Sequence, residues 1–424
     1  MSRRLNLAAV LLASAPALAA MPALAADLRI ACYSDGNECP ATKTLADRFT
    51  QQNPDIKITI DEMPYKAILE SLPVQLAAGN GPDIARITLP GPILKYLADM
   101  RPNLTDAAGY EANFGPQLTW LRNGKDDHGI YGLPTQTTVS APIVNKTLFE
   151  QANVPMPAAG ATWDEWVAAL SKVAKATKTP NAFAIDRSGH RFAGPLISYG
   201  AKFFDANGTP AVVDDGFKAM ASRYVGWAKD GTANKDVWVA SGGGYRDAFE
   251  EFKNAKLVMY FSGSWQVHRL ETQIGDGFEW VIASEPCGPA SCSGMPGGAA
   301  FVTFKGSKSP KESARFLEWL GSDKIYAEYM AMTSNLPASA GVQKMGVTYT
   351  LTPAGNAAMK AFTGDITKLS PVAYQLQGFP YSSSLLNPIA DRLSQVMAGQ
   401  LTLDQAYERI NSDVKDSMAA IKPQ

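Results

Sequence analysis

The run Met259-Tyr260-Phe261-Ser262-Gly263-Ser264-Trp265 and the later Met295-Pro296-Gly297-Gly298 carry residue types suited to holding a small polar molecule. A strand-like apolar stretch that breaks at Gly263 offers Trp265 as a flat aromatic face. Sugars bind such faces because their C–H bonds pack on the ring while their hydroxyls point outward. Gly297 and Gly298 remove the side chains that would keep a ligand from the backbone N–H groups. Catalysis is less well served. Asp214-Asp215 and Glu250-Glu251 are adjacent acids in charged surroundings, and adjacent side chains cannot flank one bond as acid and base. There is no Gly-x-Ser-x-Gly elbow, no His-Glu-x-x-His and no Cys with a fitting His. The chemistry indicated is capture rather than turnover, without a cofactor.

Four cysteines fall as two close pairs, Cys32 with Cys39 and Cys287 with Cys292. Three pairings are possible and the sequence does not choose among them. In an oxidising compartment the local pairing would staple two short loops, which is the preferred reading. A zinc site is the rival, but the spacings do not suit one, and His128, His190 and His268 lie away from both pairs.

Those residues need a scaffold, and the chain is long enough to build one. Its 424 residues suggest two to three globular units, with 46% hydrophobic and 19% charged residues as in ordinary soluble proteins. A net charge of −1 argues against nucleic acid or an anionic membrane as the main partner. Arg3 and Arg4, the apolar stretch 5–18 and Ala23-Leu24-Ala25-Ala26 read as a secretory signal spanning 1–26, cut near Ala25 or Ala26. Ser2-Arg3-Arg4 hints at a twin-arginine signal, although Asn6 stands where an apolar residue is usual. Pro16 and Pro22 interrupt the run, so stable membrane insertion is not expected. Without Arg3 and Arg4 the mature chain carries 37 basic against 40 acidic groups, close to neutral.

Strand and helix signals alternate after the signal. Residues 27–32 read as a strand, 41–52 as a helix with Leu45 and Phe49 on one face, and 56–60 as an alternating strand. A helix over 65–78 stops at Gly79-Asn80-Gly81-Pro82, and a third strand follows at 83–87. This rhythm predicts an α/β domain with a mainly parallel sheet, whose ligands sit beyond the strand carboxyl ends, here 33–35 and 86–89. Ser34, Asp35 and Arg86 are candidates on that ground. Thr162 and Glu165 form a capping-box pattern opening a helix through Val173. A long helix is predicted over 310–331, and the tail 389–419 reads as helical apart from Gly399.

Taken in order, several short pieces resemble the extracellular solute-binding proteins of carbohydrate ABC importers, the maltose-binding-protein-like group. They are Gly79-Asn80-Gly81-Pro82-Asp83-Ile84, Tyr131-Gly132-Leu133-Pro134, Val144-Asn145-Lys146, Thr162-Trp163-Asp164-Glu165-Trp166, the 259–265 run, Pro296-Gly297-Gly298 and the 313–320 segment. The resemblance implies the two-lobed type II periplasmic-binding-protein fold, each lobe a mainly parallel sheet flanked by helices. It places 27–136 and 285–336 in the first lobe, and 137–284 and 337–424 in the second. Ligand is expected between the lobes, which close over it.

The resemblance also implies site residues. It places an aromatic stacking residue at Trp265 and a polar ligand contact at Gln136. Arg191, beside His190, falls near a second stacking position, so a cation replaces that platform. Leu89-Pro90-Gly91 stands where maltose-binding protein carries a ligand carboxylate, which puts maltose itself in doubt. Tyr381 is a candidate to close the cleft from the tail. The implied role is periplasmic capture of a sugar, as a monomer, for an inner-membrane permease. Alternatives are an acidic sugar, glycerol phosphate or polyamine on the same fold, and a secreted glycoside hydrolase.

Overall fold

Alternating burial in the second strand, full burial of the third and one-sided apolar faces in the helices between them produce the expected start. The computed structural model describes residues 25–240 and 242–421; the expected export signal lies outside them except for Ala25 and Ala26. Strands β1 (Ala26–Cys32), β2 (Ile56–Glu62) and β3 (Ile84–Ile87) are separated by helices Glu38–Gln52 and Tyr65–Ala77. β1 lies between β2 and β3 and is parallel to both, as helical crossovers require.

The next strands are β4 (Gly132–Asn145), β5 (Asn181–Ile185), β6 (Leu257–Gly263), β7 (Trp280–Ile282) and β8 (Pro296–Thr303). The strand order is β2-β1-β3-β8-β4-β6-β5, with β7 also on β4. β4 is buried along its whole length. Its first half pairs antiparallel with β8, and its second half with β6 and β7. β8 in turn pairs antiparallel with β3, while β5 and β6 are parallel. The antiparallel pairings are thus those of the strands that cross between halves.

Two hydrophobic cores result. One gathers Leu45, Phe49, Ile84, Phe114, Phe301, Leu317 and Tyr326 around β1, β3 and β8. The other gathers Trp163, Phe183, Tyr224, Trp238, Phe261 and Leu393 around β5 and β6. The predicted capping box forms: Thr162 Oγ1 accepts from Glu165 N and the Glu165 carboxylate accepts from Thr162 N, opening helix Trp163–Thr177. That end turns Trp163 and Trp166 into the second core, where both are buried. The tail forms helices Ser382–Met397 and Leu403–Ala420, with Gly399 between them at φ +76°.

Two expectations are corrected. The helix predicted over 310–331 is two helices, Pro310–Leu320 and Asp323–Thr333. Ser322 is extended at ψ 138° and breaks the run after Gly321, where a Cβ would stand 2.9 Å from Leu133 Cδ1. Residues 285–295, expected with the first lobe, instead bond to elements of the second core. Cys287 N donates to Ala161 O, Trp163 N to Cys287 O, Ala290 N to Ser198 O, and Met295 joins the second cluster. The local cysteine pairing is the one that forms, Cys32–Cys39 and Cys287–Cys292. Among the described residues no helix is long and apolar enough to cross a membrane, and no acidic, His or Cys cluster is placed to hold a metal.

Candidate ligand site

Where β4 and β8 pass between the cores, a cleft of about 620 Å3, counting its open mouth, lies against Gln136, Thr138, Gly297 and Gly298. Both glycines belong to strand β8 rather than to a turn, opposite Thr138 and Thr137 of β4. A Cβ on Gly297 would stand 2.7 Å from Thr138 Oγ1, and one on Gly298 2.5 Å from Gln136 O. Glycine is needed for close approach of the strands, which keeps the cleft floor low.

The first-lobe wall is the loop after β1 together with Tyr65, Thr88 and Leu89. Tyr33 and Tyr65 rings lie 4.7 Å apart, and Tyr65 OH is 2.6 Å from Thr88 Oγ1. Tyr65 then meets Tyr245 of the second lobe edge-on at 5.5 Å, so the three rings bridge the cleft. Tyr245 OH donates to Asp186 Oδ2 at 3.4 Å, and Ser262 Oγ donates to the same oxygen at 2.7 Å. Burial, aided by the neighbouring Asp247, pushes the Asp186 carboxyl up to about 7.

Beneath that wall Arg86 is fully buried. Its Nη1 donates to Tyr33 O (3.0 Å) and Asp35 Oδ2 (3.5 Å); its Nη2 donates to Gln136 Oε1 (3.0 Å) and Glu38 Oε1 (3.3 Å). The guanidinium also lies 4.1 Å from the Tyr33 ring centroid. Burial raises the Glu38 carboxyl, but Arg86 and the Gly36 N–H outweigh it and hold it below the usual range. For Asp35 burial wins over Arg86 and the carboxyl rises to about 6. Asp35 lines the cleft with a quarter of its side chain exposed.

On the opposite wall the Arg191 guanidinium covers the Trp265 ring, 3.8 Å from its centroid. Gly263 closes under the same ring, where a Cβ would collide with Cζ3 and Cη2. Trp265 is therefore only 5% exposed, not the open face expected from a turn at Gly263. Gly263 itself is extended at φ −176°. Arg191 Nη1 donates to His190 Nδ1 at 2.7 Å, so His190 carries its proton on Nε2 and donates to Gln377 Oε1 at 2.8 Å. Burial, with Arg191 adjacent, lowers His190 to about 3 and keeps the ring neutral.

Six of the predicted residues line the cleft together: Asp35, Gln136, Arg191, Trp265, Gly297 and Gly298. Four do not. Ser34 Oγ accepts from Cys39 N and caps a helix start. Arg86 and Gly263 stand behind Tyr33 and Trp265. Tyr381 OH donates to Asn123 Oδ1 at 3.0 Å, joining the lobes away from the cleft lining. Tyr33, Thr88 and Leu89 fall in the two strand-end loops that topology flagged, so a signal for them existed. Tyr65, Tyr245 and Gln377 carried no local signal, because helices and a loop distant in sequence bring them in.

Two cores, shared crossing strands and a polar, aromatic cleft between them define a two-lobed α/β binding protein of the type II periplasmic class. The chain belongs to the family of bacterial extracellular solute-binding proteins, whose sequence profile matches residues 35–327. It is 25% identical over 362 residues to the multiple sugar-binding protein of Streptococcus mutans, covering 80% of this chain and 82% of that one. In fold it is similar to a substrate-binding protein of Listeria monocytogenes in complex with cycloalternan, with TM-score 0.78, 18% identity and 93% and 99% of the two chains covered. A maltose-bound protein of T. maritima gives TM-score 0.75 at 20% identity, covering 92% of this chain and 99% of that one.

Proposed function

We propose that this protein captures a sugar or short oligosaccharide in the cleft and, from the periplasm, hands it to an inner-membrane ABC permease. One observation carries the reading. Hydrogen-bonding groups from both lobes face the same space between aromatic walls, with Asp35 and Gln136 on one side and Arg191 and Gln377 on the other. Carboxylate and amide acceptors opposite guanidinium and amide donors suit vicinal hydroxyls, which both donate and accept. Relatives named for sugar binding support the same choice. In this reading Trp265 acts as the wall that holds Arg191, and Gly297 and Gly298 form the floor. Ligand held from both sides favours lobe closure, and the permease reads two lobe surfaces related correctly only then.

The lobes are proposed as 27–136 with the returning β8 segment, and 137–284 with the C-terminal helices; they act as a monomer. A binding role without catalysis accords with the paired acids. Asp214 accepts from Lys202 N and Phe217 N, Glu250 pairs with Lys253, and Glu251 with Arg246. A second reading, an acidic sugar, is favoured by Arg191, which has no carboxylate within ion-pair distance among the described residues and leaves Nε unpartnered. That cation opposes a polyamine, despite the tyrosines.

The test is a thermal-shift screen of the mature protein with neutral sugars, sugar acids, sugar phosphates, polyols and polyamines. A ligand at about 100 times its Kd adds roughly 2.7 kcal/mol. Stabilisation by neutral sugars is the expected result. Response to anionic ligands alone moves the assignment to the acidic sugar, and response to polyamines alone overturns it.

A further inference from the structure

We propose that a trough beside the cleft receives an apolar aglycone of the bound sugar, an inference that rests on the sugar-binding reading above. Thr88 and Leu89 line the cleft and this second space alike, so the two adjoin across these residues. The second space measures about 500 Å3 with its mouth, close to the cleft itself.

Its chemistry is different. Helix Tyr65–Ala77 turns Tyr65 toward the cleft, where the hydroxyl meets Thr88. One and two turns further along, Ile68 and Leu72 of that helix line the trough. Ile87 at the end of β3 and Ile93 of the 3-10 turn Gly91–Tyr96 complete an aliphatic wall, both almost fully buried. Only Thr88, Ser383 and Asn387 bring polar side chains, the last two from helix Ser382–Met397 of the second lobe.

A sugar ring is a poor occupant. Branched aliphatic side chains offer no flat face for stacking, and most hydroxyls pushed against them would lose their partners. An alkyl or aryl group leaves no such debt and extends naturally from a ring seated at Thr88. Because both lobes line the trough, its occupant also favours closure.

Titration calorimetry of the mature protein would compare free glucose, galactose and arabinose with their methyl and phenyl glycosides in both anomers. For the recognised sugar, the phenyl glycoside should bind about tenfold or more tightly than the methyl glycoside. Leu69→Asp, on the half-exposed edge of the trough, and Asn387→Trp, which fills it, should each remove that gain. Methyl-glycoside affinity should stay within about twofold in variants whose melting shows them folded. Equal affinity for phenyl and methyl glycosides, or a gain that survives both substitutions, overturns the aglycone site while sugar binding stands. Absence of binding by every sugar and glycoside overturns the sugar reading, and the inference with it.

Discussion

The Arg191 guanidinium lies over the Trp265 indole, 3.8 Å from the ring centroid, and is steered there by its hydrogen bond to His190. The ring thus holds a cation in the cleft wall. The cation–π contact and the His190–Gln377 chain each restrict where its donors point.

Trp265→Ala should weaken sugar binding on the order of 1–3 kcal/mol, about fivefold to roughly 150-fold, without unfolding the protein. A double-mutant cycle with Arg191→Ala should give a coupling of about 0.5–2 kcal/mol. Calorimetric affinities for the four proteins supply it; a coupling near zero would mean the two residues act separately.

Binding should weaken as pH falls through 6, because burial holds the Asp35 carboxyl at about 6 in the fold. The raised value means the folded protein takes up this proton more readily than the unfolded chain does. The loss on acidification is therefore of ligand acceptance and not of fold stability from this group. From pH 7.5 to 5 the affinity should drop roughly tenfold, the share of Asp35 left ionised. Asp35→Asn should bind more weakly at pH 7.5 and flatten the profile; an unchanged slope would remove Asp35 from the site.

Arg86→Met should cost about 3–5 kcal/mol of stability, since Glu38, 1% exposed, would lose its buried cation. Denaturant melts at pH 7 measure the loss. Adding Glu38→Gln should recover part of it, whereas a purely steric role for Arg86 predicts no recovery.

Glu285 shows the opposite case, a buried carboxyl with neither oxygen hydrogen-bonded and with Asp365 nearby. Burial pushes it well above its ordinary value, with Asp365 adding to the rise. Its stabilising protonated form is fully present below the unfolded value near 4.5 and is lost as pH rises through the folded one. Glu285→Gln should match the parent at pH 5 and exceed it by about 1–3 kcal/mol at pH 9. Equal melting curves at both pH values would show that this carboxyl does not change charge there.

Local patterns carried far in this chain. Thr162 and Glu165 cap their helix because the pattern needs only three residues of separation. Cys32–Cys39 and Cys287–Cys292 form because sequence separations of only seven and five keep each pair close. The 310–333 region failed because apolar spacing continues across Gly321-Ser322, while backbone geometry there does not. Arg86 was legible as a strand-end residue, but its burial was not. Its partners include Gln136, and Asn335 reaches Glu38 from 297 residues away.

The amino-acid order by itself determined the strand and helix rhythm, the export signal as an expectation, the near-neutral charge and the loops flanking the cleft. These follow from short-range sterics, capping and apolar periodicity, which act between neighbours in the chain. Only tertiary structure decided that Tyr33, Tyr65 and Tyr245 form one ladder across the lobes, and that Trp265 is covered by Arg191. It also decided that Ser34 and Tyr381 serve packing and lobe contact. Such contacts depend on how two separate cores settle around the crossing strands β4 and β8, a balance of burial and hydrogen bonding summed over the whole chain.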